Sequence, residues 1–225
     1  MKRSIVATLA VLLGACSQST SPQPGSVPAT KSASAPESGP CKTGFVEIAV
    51  NSPACGIGLQ ADGSLSLDGR RTPPIIVSYQ EGVDGRIALP AQQAILFPPS
   101  PQQGFRVVQG CEAADTNSLC WAVRLLDTSS ATLKEIAAGK YGPTHWVSWS
   151  PAERHVALLS RNEGAEWLHL VDTTTGATAT YPDAAENANW LIDRESFAWS
   201  GPDGFTVEIR RCAGCAPEQR RFILR

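Results

Sequence analysis

Trp149-Ser150-Pro151 opens the stretch that decides the fold. It is followed by His155-Val156-Ala157-Leu158-Leu159-Ser160, Asn162-Glu163-Gly164-Ala165, Trp167-Leu168-His169-Leu170-Val171 and Asp172-Thr173-Thr174-Thr175-Gly176. Two apolar runs of strand length are separated by a short polar turn, and a second turn leads into Ala177 to Tyr181. Aliphatic and aromatic runs bounded by Gly, Pro, Asn and Asp read as strands joined by hairpins. Side chains alternate along a strand, so His169 points to the face opposite Leu168 and Leu170. The unit from Trp146 to Pro182 is therefore expected to be a strand meander.

Fragments of this unit recur on both sides of it. Ala122-Val123-Arg124-Leu125-Leu126-Asp127-Thr128 aligns with Trp167 to Thr173 at a spacing of 45 residues. Val147-Ser148-Trp149-Ser150-Pro151 aligns with Phe197-Ala198-Trp199-Ser200-Gly201-Pro202 at a spacing of 50. Periods of this length, with several strands per unit, mark propeller blades. The unit resembles the TolB-like and WD40-like propeller repeat, which runs Trp-Ser-Pro-Asp-Gly, strand, turn, strand, Asp-x-x-Thr-Gly. The resemblance spans residues 91–211. Ala152-Glu153 stands where the family has Asp-Gly, and residues 41–90 match poorly. The expectation is an all-β fold, a small or incomplete β-propeller of about four blades, with a two-sheet β-sandwich as the alternative. Asp127 and Asp172 are expected to close turns through backbone N–H bonds. Trp149 and Trp199 are expected to be core aromatics. Ser129 to Lys140, the best helical candidate, lacks a sustained apolar face of period 3.6.

The N-terminus supplies an address. Lys2 and Arg3 precede an apolar run, Ile5 to Leu13, that is too short to span a bilayer, and Leu13-Gly14-Ala15-Cys16 follows. This layout resembles the lipobox of bacterial lipoproteins, in which the residue matching Cys16 is acylated and the chain is cut before it. The resemblance implies a signal peptide over 1–15. It also implies an anchor at Cys16, firm once several chains are attached. Ser17 rather than Asp follows, which in Gram-negative lipoproteins implies the outer membrane, periplasmic face. Residues 16–40, rich in Ser, Pro, Ala and Thr, read as a tether that cannot bury a core. Residues 41–225 are the folded domain.

Six further cysteines, Cys41, Cys55, Cys111, Cys120, Cys212 and Cys215, form an even set in an exported chain and are read as disulfide-bonded. Six cysteines allow fifteen pairings, of which sequence neighbours are the simplest. Cys212-Ala213-Gly214-Cys215 has two chemical readings. A thioredoxin-like redox pair opens a helix after a strand, yet here both flanks, Val207-Glu208-Ile209 and Phe222-Ile223-Leu224, are strand-like. A zinc site would want a second cysteine pair.

Composition narrows the classes. Without Lys2 and Arg3 the chain carries 17 basic residues against 21 acidic, a formal charge of −4. No concentrated basic run exists, so nucleic acid is not an expected partner. The three histidines, His145, His155 and His169, show no metal-ligand spacing, and no Gly-x-Ser-x-Gly elbow occurs. Asp62-Gly63-Ser64-Leu65-Ser66-Leu67-Asp68-Gly69 lacks the Glu that ends an EF-hand loop. No metal, cofactor or catalytic set is expected.

The leading expectation is a non-enzymatic binding module whose partner is another envelope or secreted protein. Its narrower form is an inhibitor or immunity protein against a cell-wall hydrolase, since truncated propellers with lipoboxes occur among such proteins. The alternatives are an envelope enzyme, either a redox protein using Cys212 and Cys215 or a hydrolase, and an assembly role resembling that of TolB. Polar loops are the expected contact points. They are Glu112 to Ser118 with Glu112 and Asp115, Arg161 to Glu166 with Asn162 and Glu163, and Asp183 to Asn189 with Asp183 and Glu186.

Overall fold

Short apolar runs with alternating burial make the described part of this chain almost wholly β. In the computed structural model, residues 39–83, 85–113, 119–137, 143–183, 189–202 and 204–224 are described. A five-residue helix, α1 (Gly39–Thr43), leads into β1 (Val46–Ala49), β2 (Ile57–Leu59), β3 (Ser64–Leu67) and β4 (Arg70–Pro74). β5 (Ile76–Gly82) and β6 (Gly85–Pro90) form a separate hairpin. β7 (Gln93–Leu96), β8 (Phe105–Cys111), β9 (Cys120–Asp127) and β10 (Thr132–Glu135) form a meander that β1 extends alongside β7. β11 (Pro143–Trp149), β12 (His155–Asn162), β13 (Ala165–Asp172) and β14 (Thr178–Tyr181) form a second meander. β15 (Leu191–Trp199), β16 (Gly204–Arg210) and β17 (Glu218–Ile223) form a third. We name β2–β3–β4 sheet I, the β1-extended meander sheet II, and the remaining two sheets III and IV. All of their strand pairs are antiparallel.

Three apolar layers join the sheets in series. Ile57, Leu59, Leu65 and Leu67 of sheet I meet Ala94, Leu96, Val108 and Leu126 of sheet II. The opposite face of sheet II offers Ile95, Val107, Val123 and Leu125 to Val156, Leu158 and Val171 of sheet III. Behind these, Ala157, Leu159, Leu168 and Leu170 pack on Phe205, Val207 and Ile209 of sheet IV. Sheets II and III are thus covered on both faces, which explains runs such as Val156 to Leu159 that lack a polar side.

Among the described residues the sheets do not close into a ring, and there are five of them, counting the β5–β6 hairpin, rather than the two of a sandwich. The end faces give the reason. Ser66 and Arg71 on the outer side of sheet I, and Asp193, Glu208, Arg210 and Arg221 on that of sheet IV, are polar. Neither end can bury itself against the other without stranding charges.

The sequence repeat has a structural counterpart. Trp149 Nε1 donates to the Pro98 carbonyl at 3.1 Å, and Trp199 Nε1 donates to Ser148 Oγ at 3.0 Å. Each indole ties the first strand of its sheet to the sheet before. Ser100 and Ser150 Oγ accept the N–H groups of Phe105 and His155, each at 3.0 Å, so the same turn recurs. Asp127 accepts from Ser129 and Ser130, and Asp172 from Thr175, closing the turns after β9 and β13. Burial pushes both carboxyls upward, but these hydrogen bonds outweigh it and hold both below the ordinary aspartate range.

Disulfides link Cys41 to Cys55, Cys111 to Cys120 and Cys212 to Cys215. Buried Arg106 donates to the Cys41 carbonyl at 2.8 Å, fixing α1 beside β8.

Candidate functional site

The repeated struts set the polarity of the stack. Trp149 and Trp199 end β11 and β15 and reach back to the segments that end β7 and β11, so the first strands of sheets II to IV finish at one level. The second strands, β8, β12 and β16, set out from that level together. Their far ends, at Cys111, Asn162 and Arg210, therefore emerge at the opposite end of the stack. One end is built from tight Ser-Pro and Asp-Thr turns. The other carries the β8–β9, β12–β13 and β16–β17 loops and the crossing from β14 to β15.

The loops nominated from sequence belong to this second end. Glu112 is half-buried, with its N–H bonded to the Leu119 carbonyl at 3.1 Å across the hairpin that Cys111–Cys120 closes. Asn162 ends β12. Glu163 and Gly164 make the two-residue turn with φ of 50° and 84°, the left-handed backbone that favours glycine. Glu163 and Asp183 are exposed. Cys16, Asp115 and Glu186 lie outside the described residues.

Two residues of the 161–166 loop have structural work instead of open contacts. Glu166 is buried, accepts the Ile192 N–H at 2.6 Å on Oε2, and pairs through Oε1 with Arg161 at 2.8 Å. Its own N–H bonds the Trp190 carbonyl at 3.0 Å, so this corner fastens the start of sheet IV to sheet III.

The β5–β6 hairpin is the feature that the sequence reading missed. Its root lies at the same end. Trp121 Nε1 donates to the Val77 carbonyl at 2.7 Å, and Gly110 leaves room for Ile75 and Val77. Beyond the root, residues 79–81 and 85–88 of the arm are exposed. Tyr79 is 56% exposed, Ile87 55%, and Val83 at the tip fully so. Arg86 stacks over the Tyr79 ring at 4.8 Å and pairs with Glu81 at 3.5 Å. Asp84-Gly85 between alternating runs was the available signal, a strong hairpin mark.

The histidines occupy different settings. His169 is buried in sheet III on the face turned away from Leu168 and Leu170. Nε2 lies 2.6 Å from Ser160 Oγ and Nδ1 lies 3.0 Å from Thr180 Oγ1. Burial pushes its pKa down to about 4. This is a satisfied core histidine, closed to substrate. His145 is exposed and stacks on Phe45 with ring centroids 4.9 Å apart. His155 is buried beside Asp172, with Nε2 3.9 Å from Oδ2. Among the described residues no three His, Cys, Asp or Glu side chains gather as a metal site. Among them, too, no helix is long and apolar enough to cross a membrane. Cys212–Cys215 lies in the β16–β17 loop, between two strands and away from any helix start.

No family model matches the chain, and no curated protein matches it. Among solved structures it is similar to TolB from Acinetobacter baumannii, at 11% identity and a TM-score of 0.30, over 71% of this chain and 39% of that one. The chain thus spans about two fifths of the length of that structure.

Proposed function

We propose that this chain is a lipid-anchored, non-enzymatic protein-binding module of the bacterial outer membrane's periplasmic face. On this reading it is built from propeller-type repeats and presents its loop end to another envelope or secreted protein. The observation that carries the reading is the β5–β6 arm. A two-stranded hairpin that holds Tyr79, Val83 and Ile87 in water, at the end where the Cys111–Cys120 hairpin also emerges, is apolar surface that a partner would cover. Tyr79 and Ile87 lie on opposite faces of the arm, since Tyr79 pairs with Ala88 and Ile87 with Gln80. A partner that covers both must wrap the arm in a cleft. That favours the narrower form, an inhibitor or immunity protein that enters the cleft of a cell-wall hydrolase. The sequence 183–187, with Asp183 and Glu186, would suit a basic rim there.

In-cell photocrosslinking tests the module. A photoreactive residue at Tyr79 or Val83 should trap one defined envelope protein, whereas one at Ser129, at the opposite end, should not. Equal trapping at both ends, or none at the arm, overturns the reading. Cys16→Ser should abolish palmitate labelling, and labelling that survives the substitution removes the anchor.

A further inference from the structure

The joints between sheets repeat, and the last of them differs. Arg70, which opens β4, donates to the carbonyls of Ser129 and, at 3.0 Å, Thr128, in the turn that follows β9. Lys134 of β10 donates to the carbonyls of Thr174 and, at 2.8 Å, Thr173, in the turn that follows β13. In each joint a cation on the last strand of one sheet holds the turn after the third meander strand of the next. Both cations face that neighbour, since Arg70 pairs with Leu67 and Lys134 with Leu125. At the 45-residue spacing Lys134 corresponds to Ala179 of β14, which pairs with Leu170 and so faces sheet IV. Ala179 is exposed. Sheet IV has three strands among the described residues, and within them β17 pairs with β16 alone. A cavity of about 520 Å³ opens at this joint, over Leu170, Ala179 and Tyr181 of sheet III and against Ile223 and Leu224 where β17 ends, with Asp172 on its polar side.

The side chains of β17 select what can pair there. Phe222 packs toward sheet III, while Gln219, Arg221 and Ile223 line the opposite face, with Ile223 71% exposed. Glu218, the strand's one acid, is engaged by Arg211 at 3.3 Å and Arg220 at 3.6 Å, so the strand as a whole is basic. We infer that the edge of β17 and the adjoining cavity form a docking site for an extended acidic and apolar strand of a protein partner. It pairs with β17 as β10 and β14 pair with β9 and β13, setting apolar side chains over the cavity and carboxylates beside Arg221. An open edge supplies main-chain hydrogen bonds, and a pocket beside it chooses the side chain. A second copy fits badly. β17 has six residues, and every antiparallel register that pairs five or all six of them sets arginine opposite arginine. The tether fits badly too, because Pro22, Pro24, Pro28 and Pro36 have no N–H to donate and Val27 is its one large aliphatic residue. The site lies on sheet IV, whereas the arm is rooted on sheet II, so the two surfaces are independent.

Acetyl-Leu-Glu-Leu-Glu-Leu-Glu-amide and the same peptide with lysine for glutamate are matched probes of opposite charge. With the full chain purified in detergent, saturating glutamate peptide should slow the exchange of every second amide of β17, those turned away from β16, by about tenfold or more. The lysine peptide should bind about tenfold more weakly, the worth of exchanging attraction for repulsion at cross-strand pairs. Arg221→Glu should reverse that preference. Ala179→Trp, at an exposed position, should fill the cavity and weaken the glutamate peptide by about tenfold without changing the melting temperature. Equal binding of the two peptides, or slowing that is absent or spread over all β17 amides alike, overturns the site. Slowing in the chain alone that disappears when 17–38 is replaced by Gly-Ser repeats assigns the edge to the tether. A concentration-dependent dimer that protects β17 assigns it to a second copy, and either result overturns the partner strand. Failure of the arm to crosslink defeats the loop-end reading without touching this result, and failure of the peptide leaves that reading standing.

Discussion

Acid should destabilise this protein first through His169. The imidazole is neutral in the folded state, with its pKa depressed to about 4 by burial, against about 6.5 in the unfolded chain. The unfolded state therefore holds the extra proton between those values. Stability is fully present above pH 6.5 and is lost as pH falls toward 4. Between pH 7.5 and 4.5 the loss works out at about 2.5 kcal/mol for this one group, at about 1.36 kcal/mol per unit of pKa difference. Asp62, Asp127 and Asp172 are held below the ordinary aspartate range, so what they contribute is lost only below the usual carboxylate values, outside this window. Urea unfolding followed by tryptophan fluorescence at half-unit pH steps measures the slope. His169→Gln keeps a donor and an acceptor between Ser160 and Thr180 but cannot titrate, and should flatten most of that slope. A Gln variant with the wild-type pH dependence would show that His169 is not the acid-sensitive group.

Other expectations follow from the packing. Trp149→Ala removes a half-buried strut and its bond to Pro98, and should lower the unfolding free energy by about 3 kcal/mol in urea titration; a loss under 1 kcal/mol would deny the strut a role. A Cβ at Gly110 would stand 2.6 Å from Ile75 Cγ2. Gly110→Ala should therefore cost about 1–3 kcal/mol by calorimetry and loosen the arm's root, seen as faster amide exchange at Val77. Removing Cys41–Cys55 should destabilise by about 3 kcal/mol and Cys212–Cys215 by about 2, because the first closes the longer loop. The reverse order would point to strain or to residual structure in the reduced chain.

The strands were readable because their information is local. His155 to Ser160, Trp167 to Val171 and Ala177 to Tyr181 lie within or overlap β12, β13 and β14, and the turn at Asn162 to Ala165 joins the first two. The 45-residue spacing joins β9 to β13 and the 50-residue spacing joins β11 to β15, the same strand of consecutive sheets. Ser100-Pro101 repeats Ser150-Pro151 at the same spacing, a third copy that only the geometry made visible. Ring closure was not readable, because it depends on whether the two outermost faces match, and polar residues at every second position look the same facing water or facing a neighbour. The root of the β5–β6 arm was hidden for another reason. It is held by the Trp121 indole and fits against Gly110, both far along the chain, and no local pattern marks such a contact.

The serial arrangement makes sheets I to IV a short linear array, in which each layer is supported by its immediate neighbours. In such an array cooperativity is transmitted layer by layer, and loss of order starts where support is one-sided. Sheet IV, three strands held on one face, is a natural place for fraying to begin, and sheets II and III, held on both, retain their amide protons longest. A partner that grips the arm and the loop end would touch several layers at once. It would act as a brace along the array, making the bound protein open as one unit where the free protein peels.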